Sequence, residues 1–443
     1  MTGVPDPRRI LPPGRHRDDR AIVALAVPAL GALAADPLYS LADTAFVGNL
    51  GTGELGAVAV GTAAFTASFW LFSFLAYGVT PRVARALGAG DAALAARIGV
   101  QALLLAACIG VTLSVAGVLF AGPIVRLLGA SGEVALHAET YLRVRILSST
   151  AVLVGQAGHG WLRGAHDTRT PMYVATSGAL ANVVLDYVLI YPAGLGVEGA
   201  AWATVIGQGA VAAAFVLILL RRMDAPRWRF NGPALRSLIR VGIDLAVRTG
   251  ALLAGLTIAT SVAARMGAVQ VASWQIAMQV FLLLALTLDS VAIAAQAMIG
   301  RRLGEAGTRP ADELSRRLMS WGLALGVALT LLLIGITRPV ADIFSNDHRV
   351  VSAAAGLLVW LAILQPLSAA AFTLDGILIG ASDTRFLAAS MTASSVLFVG
   401  VCLMALRQGW GTAGLAAGTT LWLLVRVITT GARWRRGRWA VAR

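Results

Sequence analysis

The 443-residue chain contains no lysine, so all 36 of its basic side chains are arginine. It is also short of cysteine, with two, and of charge of any kind, at 13%. Each shortage excludes something. A soluble domain carries nearer a quarter of charged residues; with 58% hydrophobic residues and a mean hydropathy of +0.77, this chain needs a bilayer as solvent. Without lysine there is no phosphate loop of the Gly-rich, Lys-bearing kind, so the chain does not power itself with ATP through one. Cys108 and Cys402 both lie in apolar runs, which argues against a disulfide or a metal site. His137, His159 and His166 share no metal spacing. No nucleophile–base motif stands out, so a membrane enzyme is disfavoured. Residues 1–20 are polar, carry Arg8, Arg9, Arg15, Arg17 and Arg20, and have no apolar core of a signal peptide.

What the chain has in abundance is long apolar runs. They read as twelve helical spans near 21–47, 54–79, 93–119, 134–158, 169–192, 199–220, 236–263, 270–297, 313–336, 351–375, 385–406 and 412–432. The arginines test the count. Connections 48–53 and 192–198 have none. The alternate connections hold Arg82, Arg85 and Arg97, then Arg163 and Arg169, then Arg221, Arg222, Arg227, Arg229 and Arg236, then Arg301, Arg302, Arg309, Arg316 and Arg317. That alternation predicts an all-α polytopic protein of the cell (cytoplasmic) membrane with both termini cytoplasmic. The formal charge of +14 then faces anionic membrane lipids and not nucleic acid.

The two halves of the chain resemble each other. LRGAHDTRT (162–170) parallels LIGASDTRF (378–386), and RVARALGAGD (82–91) parallels MIGRRLGEAG (298–307). GAAWAT (199–204) parallels GLAAGT (414–419). The separation along the chain is the same for the first two matches and almost the same for the third. Six spans followed by six spans keep the same orientation, so this is a parallel repeat, of the kind that encloses a central cavity. The expected organisation is a tail 1–20, an N-lobe 21–220, a linker 221–235 holding Pro226, Asn231, Gly232 and Pro233, a C-lobe 236–432 and a basic tail 433–443.

Charged groups inside a membrane are costly and are the first functional suspects. Span 1 carries Asp36, Tyr39 and Asp43 close to one helical face, with Pro28 and Pro37 able to bend it. Span 5 carries Asn182 and Asp186 at i, i+4. Span 6 carries Thr204, repeated as Thr419. At the repeat separation Asp36, Asp43, Asn182 and Asp186 become Leu252, Ala259, Phe398 and Cys402, so the carboxylates belong to the first half alone. Asp43, Asp186, Asn182, Tyr39, Thr204 and Asp36 are the candidate proton or cation site. The second half has its own set: Asp244 and Arg248 at i, i+4, with Asp289 and Asp375 as further partners for Arg248, either as a structural ion pair or as a charge that moves with substrate. Gly194, Gly196 and Gly199 match G-x-G-x-x-G but fall in a short turn with no preceding strand, which excludes a dinucleotide loop. Asp167-Thr168 and Asp383-Thr384 read as repeated N-caps.

PLYSLADTAFVGNLGTGELGAVAVG (37–61), GWLRGAHDTRTPMY and IAAQAMIGRRLGEAG resemble the multidrug and toxic compound extrusion (MATE) family, in its DinF-type branch, and the likeness runs over about 20–432. The resemblance implies a twelve-helix, two-lobed antiporter that exports drug-like, often cationic organic compounds in exchange for H+ or Na+, with no other cofactor. It places the family's N-lobe cation site on Tyr39, Asp43, Asn182, Asp186 and Thr204. The NorM-type branch has an aspartate where Ser368 stands here, which favours H+ over a second-half Na+ site. Alternatives are a flippase for a lipid-linked or amphipathic substrate and, last, a membrane enzyme or scaffold. The expected state is a monomer.

Overall fold

The computed structural model describes residues 15–223 and 228–440. Arg8, Arg9, Pro226, Arg227 and Arg443 lie outside them. The described residues form helices and turns, with no strand. The helices are α1 (Arg15–Gly48), α2 (Thr52–Trp70), α3 (Phe74–Gly88), α4 (Ala92–Leu127), α5 (Gly132–Arg145), α6 (Ser149–Gly164), α7 (Arg169–Ile190) and α8 (Gly196–Arg222). After the linker come α9 (Gly232–Met266), α10 (Ala268–Glu305), α11 (Thr308–Phe344), α12 (His348–Ile363), α13 (Gln365–Gly380), α14 (Thr384–Gln408) and α15 (Gly411–Arg435).

Among the described residues nine of these are individually long and apolar enough to cross a membrane, and α12 with α13 makes a tenth that is bent by 53°. The pairs α2–α3 and α5–α6 are each joined by a single 3-10 turn, at Leu71–Ser73 and Ile146–Ser148. Counting each pair as one span gives the twelve expected. The helices overrun the expected spans at their Arg-rich ends. α9 starts at Gly232, inside the expected linker, because Asn231 caps it by accepting the N–H of Ala234 at 3.1 Å. α1 likewise starts at Arg15, inside the expected tail.

The repeat is visible in backbone detail. His166 and Ser382, equivalent positions of the repeat, both hold the left-handed conformation, at φ 62° and 64°. They are the two non-glycine residues with this strained backbone among the described residues, and each lies in the turn before a matching helix, α7 or α14. Gly160 in α6 packs so tightly on α3 that a Cβ would meet the Ala76 carbonyl oxygen at 2.8 Å. Gly376 in α13 meets the Ala292 carbonyl of α10 in the same way, at 2.6 Å. Gly376 and Ala292 are the repeat equivalents of Gly160 and Ala76, so the repeated glycines are close-approach points between helices.

The N-cap reading holds for one copy only. Asp167 accepts the N–H of Thr170 at 2.9 Å and its hydroxyl at 2.6 Å, and takes Arg222 Nη1 at 2.6 Å. Burial pushes the Asp167 carboxyl up, but the Thr170 and Arg222 hydrogen bonds outweigh it and hold the group below its ordinary value. Asp383 occupies the N-cap position of α14 without capping it. Its carboxylate instead receives Arg433 Nε at 2.7 Å.

The chain divides into two compact units with boundaries at 26/27 and 242/243, which are themselves equivalent positions of the repeat. The first is Val27–Gly242; the second takes the first turns of α1, up to Ala26, with the chain from Ile243. In the second unit Asp19 receives Arg317 through two hydrogen bonds of 2.7 and 2.6 Å and Trp321 Nε1 at 2.7 Å, while Arg302 reaches Asp18 at 3.1 Å. In the first unit, among the described residues, the start of α9 is held without ion pairs to carboxylates: Gln101 donates to the Arg229 carbonyl at 2.7 Å and accepts from Asn231 N at 3.0 Å. Arg82 donates to the Ser237 carbonyl and hydroxyl at 2.9 and 2.8 Å.

Candidate functional site

α1 and α7 run side by side in the first unit. A Cβ on Gly31 would meet Met172, and near the other end Phe46 packs on Tyr187 and Tyr191. Tyr191 also donates its hydroxyl to the Phe46 carbonyl at 2.8 Å. This parallel register brings Asp43 level with Asp186 and Tyr39 level with Asn182. α7 and α8 form an antiparallel pair, with Gly199 against Leu189 and Gly207 against Asn182. That register puts Thr204 level with Asp186. Five sequence-derived candidates therefore meet on three helices of one unit.

Their surroundings are apolar and tight. Asp186 is 0% exposed, Asn182 4% and Asp43 7%. Both carboxylate oxygens of Asp186, one of Asp43 and the amide oxygen of Asn182 are buried with no hydrogen-bond partner in the protein. The Thr204 hydroxyl turns to its own helix, donating to the Ala200 carbonyl at 3.2 Å. Buried polar atoms are nearly always satisfied, so such a set of orphaned acceptors needs a reason. Unpartnered carboxylate and amide oxygens of this kind are acceptors that can take a proton or a small cation. Asp36 stands one turn before Tyr39 along α1, exposed on the wall of a cavity of about 80 Å3. Tyr39, Gln156, His159, Asn182 and Gln208 share that wall.

A basic residue missed by sequence reasoning sits in the middle of this acidic cluster. Arg145, the last residue of α5, is 7% exposed and donates from Nη2 to the Tyr39 hydroxyl at 3.3 Å. Its guanidinium lies 4.7 Å from the centre of the Phe65 ring. Its Nε and Nη1 have no partner. Asp36, Asp43 and Asp186 all lie within coulombic range of it. Tyr141, one turn earlier on α5, is buried and shares a 3.2 Å hydrogen bond with Thr62. The sequence does carry a signal, an arginine inside the run 134–158. It is hidden because Arg143, two positions before, is an exposed partner of Glu139.

In the second unit, Arg248 pairs with Asp375, as the sequence allows, and a second arginine, Arg426 of α15, donates to the same carboxylate oxygen at 2.7 Å. Arg426 is 3% exposed and lies 4.7 Å from the Trp422 ring centre. Arg248 thus joins Arg145 and Arg426 as an arginine within the spans. Asp244 accepts the Thr384 hydroxyl at 2.8 Å and ties α9 to the start of α14. Asp289 lies half-buried in α10. Ser368, at the NorM-type position, is buried in α13. Among the described residues no His, Cys, Asp or Glu group is arranged to hold a metal ion.

Twelve spans in a repeated order, with carboxylates and arginines walled into the apolar interior, define a multi-pass membrane transporter. The sequence model of the MatE family matches residues 28–188 and 251–404; the chain belongs to that family, which consists of transporters and not enzymes. It is 32% identical over 452 residues to Protein DETOXIFICATION 44, chloroplastic, of Arabidopsis thaliana, covering 96% of this chain and 83% of that protein. It is 30% identical over 441 residues to DNA damage-inducible protein F of Escherichia coli (strain K12), covering 96% and 94%. Among solved structures, the crystal structure of MATE in the bent conformation matches with a TM-score of 0.87 at 23% identity, covering 96% and 95%. An outward-facing multidrug resistance MATE family transporter of the MOP superfamily matches with a TM-score of 0.85, also at 23% identity, covering 95% of each chain. At that identity the structural likeness is one of fold.

Proposed function

We propose that this transporter is a secondary active antiporter that exports drug-like, often cationic organic compounds in exchange for H+, with Na+ as the alternative coupling ion. The observation that carries the reading is the buried pair Asp43 and Asp186, whose orphaned oxygens can take up a cation without breaking any existing hydrogen bond. Two carboxylates in a low-dielectric site resist ionising together, so ion arrival and release change the local charge by a full unit and can bias the helices that carry them. Pro28 and Pro37 in α1 supply the place for that bias to act. Relatives named Probable multidrug resistance protein NorM (Thermotoga maritima, 24% identical) and Multidrug resistance protein MdtK (Edwardsiella ictaluri, 27%) support the substrate class.

The arginine alternation supports a cytoplasmic membrane with the Arg-rich ends inside. Because two of the plant relatives are described as chloroplastic, the compartment is part of this proposal. A monomer with lipid around it is the simplest working unit. A flippase for a lipid-linked substrate would need a cationic grip on phosphate; Arg426 and Arg248 are bonded to Asp375, and Arg145 stands among Asp36, Asp43 and Asp186, whose charge repels phosphate, which favours the antiporter. The test is ethidium efflux from cells expressing Asp43→Asn or Asp186→Asn. Both variants are expected to lose most of the gradient-driven efflux at normal membrane expression; efflux at the wild-type rate in both would sink the reading.

A further inference from the structure

The coupling site carries its own permanent cation, and the other half of the molecule shows that this cation goes with the carboxylates. The repeat counterparts of Asp43, Asn182 and Asp186 are Ala259, Phe398 and Cys402, and the counterpart of Arg145, at the same separation, is Leu361. All four are buried members of one apolar cluster in the second unit. The same spot is thus a hydrophobic core in one half and a charged cluster in the other. Arg145 differs between the halves together with the two aspartates, as one member of a set.

Resting on the proposed ion coupling at Asp43 and Asp186, we infer that Arg145 determines which ion completes that site: its fixed charge makes the site take one proton and refuse Na+. The reasoning is electrostatic. Guanidinium stays charged at any accessible pH. With both buried carboxylates ionised, Asp43, Asp186 and Arg145 together carry one net negative charge; Asp36 stands outside this count because it is exposed to the cavity. One proton, bonded to one carboxylate oxygen, neutralises the cluster without needing a coordination shell. Na+ would have to shed its water in the apolar interior, find several oxygens, and sit beside a guanidinium. Tyr39 and Phe65 hold Arg145 in place, through its Nη2 and the face of its guanidinium, and leave Nε and Nη1 uncommitted. The titratable groups that face it are Asp36, Tyr39 and Asp43 from α1, Asp186 from α7 and Tyr141 from its own helix. From α2 it is faced by the Phe65 ring. Arg145 is a specificity residue that acts through the carboxylates and touches no substrate.

The experiment uses purified full-length protein in two assays: 22Na+ binding, and ethidium flux in proteoliposomes under a pH gradient or a Na+ gradient applied separately. Wild type is expected to respond to the pH gradient and to show neither Na+ binding nor Na+-driven flux. Arg145→Gln is expected to bind Na+ at least about tenfold more tightly than wild type and to gain Na+-driven flux. Arg145→Lys keeps the charge and is expected to remain blind to Na+. Saturable Na+ binding by wild type, or by Arg145→Lys, overturns the inference. So does a folded Arg145→Gln that remains coupled to the pH gradient alone. If Arg145→Gln does not fold, the wild-type and Arg145→Lys measurements still decide. Absence of flux under either gradient in wild type overturns the coupling proposal itself, and Na+ binding then judges the arginine separately.

Discussion

The two halves share their turns, their close-packed glycines and the order of their spans, but they bury charge at different places. In the first, the charges are Asp43, Asp186 and Arg145, where the second has Ala259, Cys402 and Leu361 in a hydrophobic cluster. In the second, the charges are Arg248, Asp375 and Arg426. Their repeat counterparts are Ala32, His159 and Val211, and the last two line the small polar cavity of the first unit. The two charged clusters also differ in how well they are satisfied. Asp375 receives two arginines. Asp186 receives nothing from the protein. A satisfied cluster resists change, while an unsatisfied one responds to an ion. The comparison teaches that a repeated scaffold can be kept while each copy buries charge differently: the first half leaves its carboxylates unpartnered, as the proposed ion coupling requires, and the second ties its carboxylate to two arginines.

The most damaging way to break the comparison is at Asp375. Asp375→Ala leaves Arg248 and Arg426 to share the interior without their carboxylate, and is expected to cost about 3–5 kcal/mol, or to abolish folding. Thermal unfolding in detergent reads this directly, and a variant as stable as wild type would show that the second cluster is not structural. A sharper version converts the first half to the second by the combined change Asp43→Ala, Arg145→Leu, Asn182→Phe and Asp186→Cys. Replacing a charged cluster as a whole with apolar groups is often neutral or stabilising by about 1–4 kcal/mol. The expected protein is folded, at least as heat-stable as wild type, and silent in gradient-driven flux. Loss of stability on that scale would mean that the first cluster holds its unit together.

The scaffold should respond alike in both copies. Gly160→Ala and Gly376→Ala each push a methyl against a backbone carbonyl, and each is expected to cost about 1–3 kcal/mol. Unequal losses in a melting comparison would show that the repeat is less symmetric than its backbone. The smallest effect is at the caps. Asp167→Ala removes a cap and is expected to cost about 1 kcal/mol at neutral pH. The folded Asp167 carboxyl is held below its unfolded value, so its contribution is complete above the ordinary carboxylate range and is lost as pH falls through the depressed value. Melting of wild type and variant should therefore converge in acid, whereas a gap that persists there would assign the loss to packing.

The sequence shows the span count well because hydropathy and arginine placement are one-dimensional signals. Asp43, Tyr39, Asn182 and Asp186 are legible for a similar reason: i, i+4 spacing fixes a helical face without knowledge of the neighbours. Arg145 and Arg426 are not. Both fall inside expected spans, 134–158 and 412–432, but neither has a carboxylate three or four residues away to mark it, so what each faces depends on neighbouring helices. The partners of Arg248 are legible only as a choice of three, because pairing with Asp375 depends on how α9 meets α13. Asp383 misleads for the opposite reason: its motif copies Asp167, but Arg433 is within reach of it and captures the carboxylate.

The boundaries at 26/27 and 242/243 have a consequence for how this chain can be cut. Each compact unit is completed by the opening turns of a helix that belongs, by chain order, to the other half. A fragment ending at Met223 would keep Asp18 and Asp19 but lack the Arg302, Arg317 and Trp321 that bind them. It would also lack the Asn231 and Ser237 that its own Gln101 and Arg82 hold. Each unit borrows a segment from the other half of the chain, a segment exchange within one polypeptide, so co-expressed halves should fold more readily than either should alone.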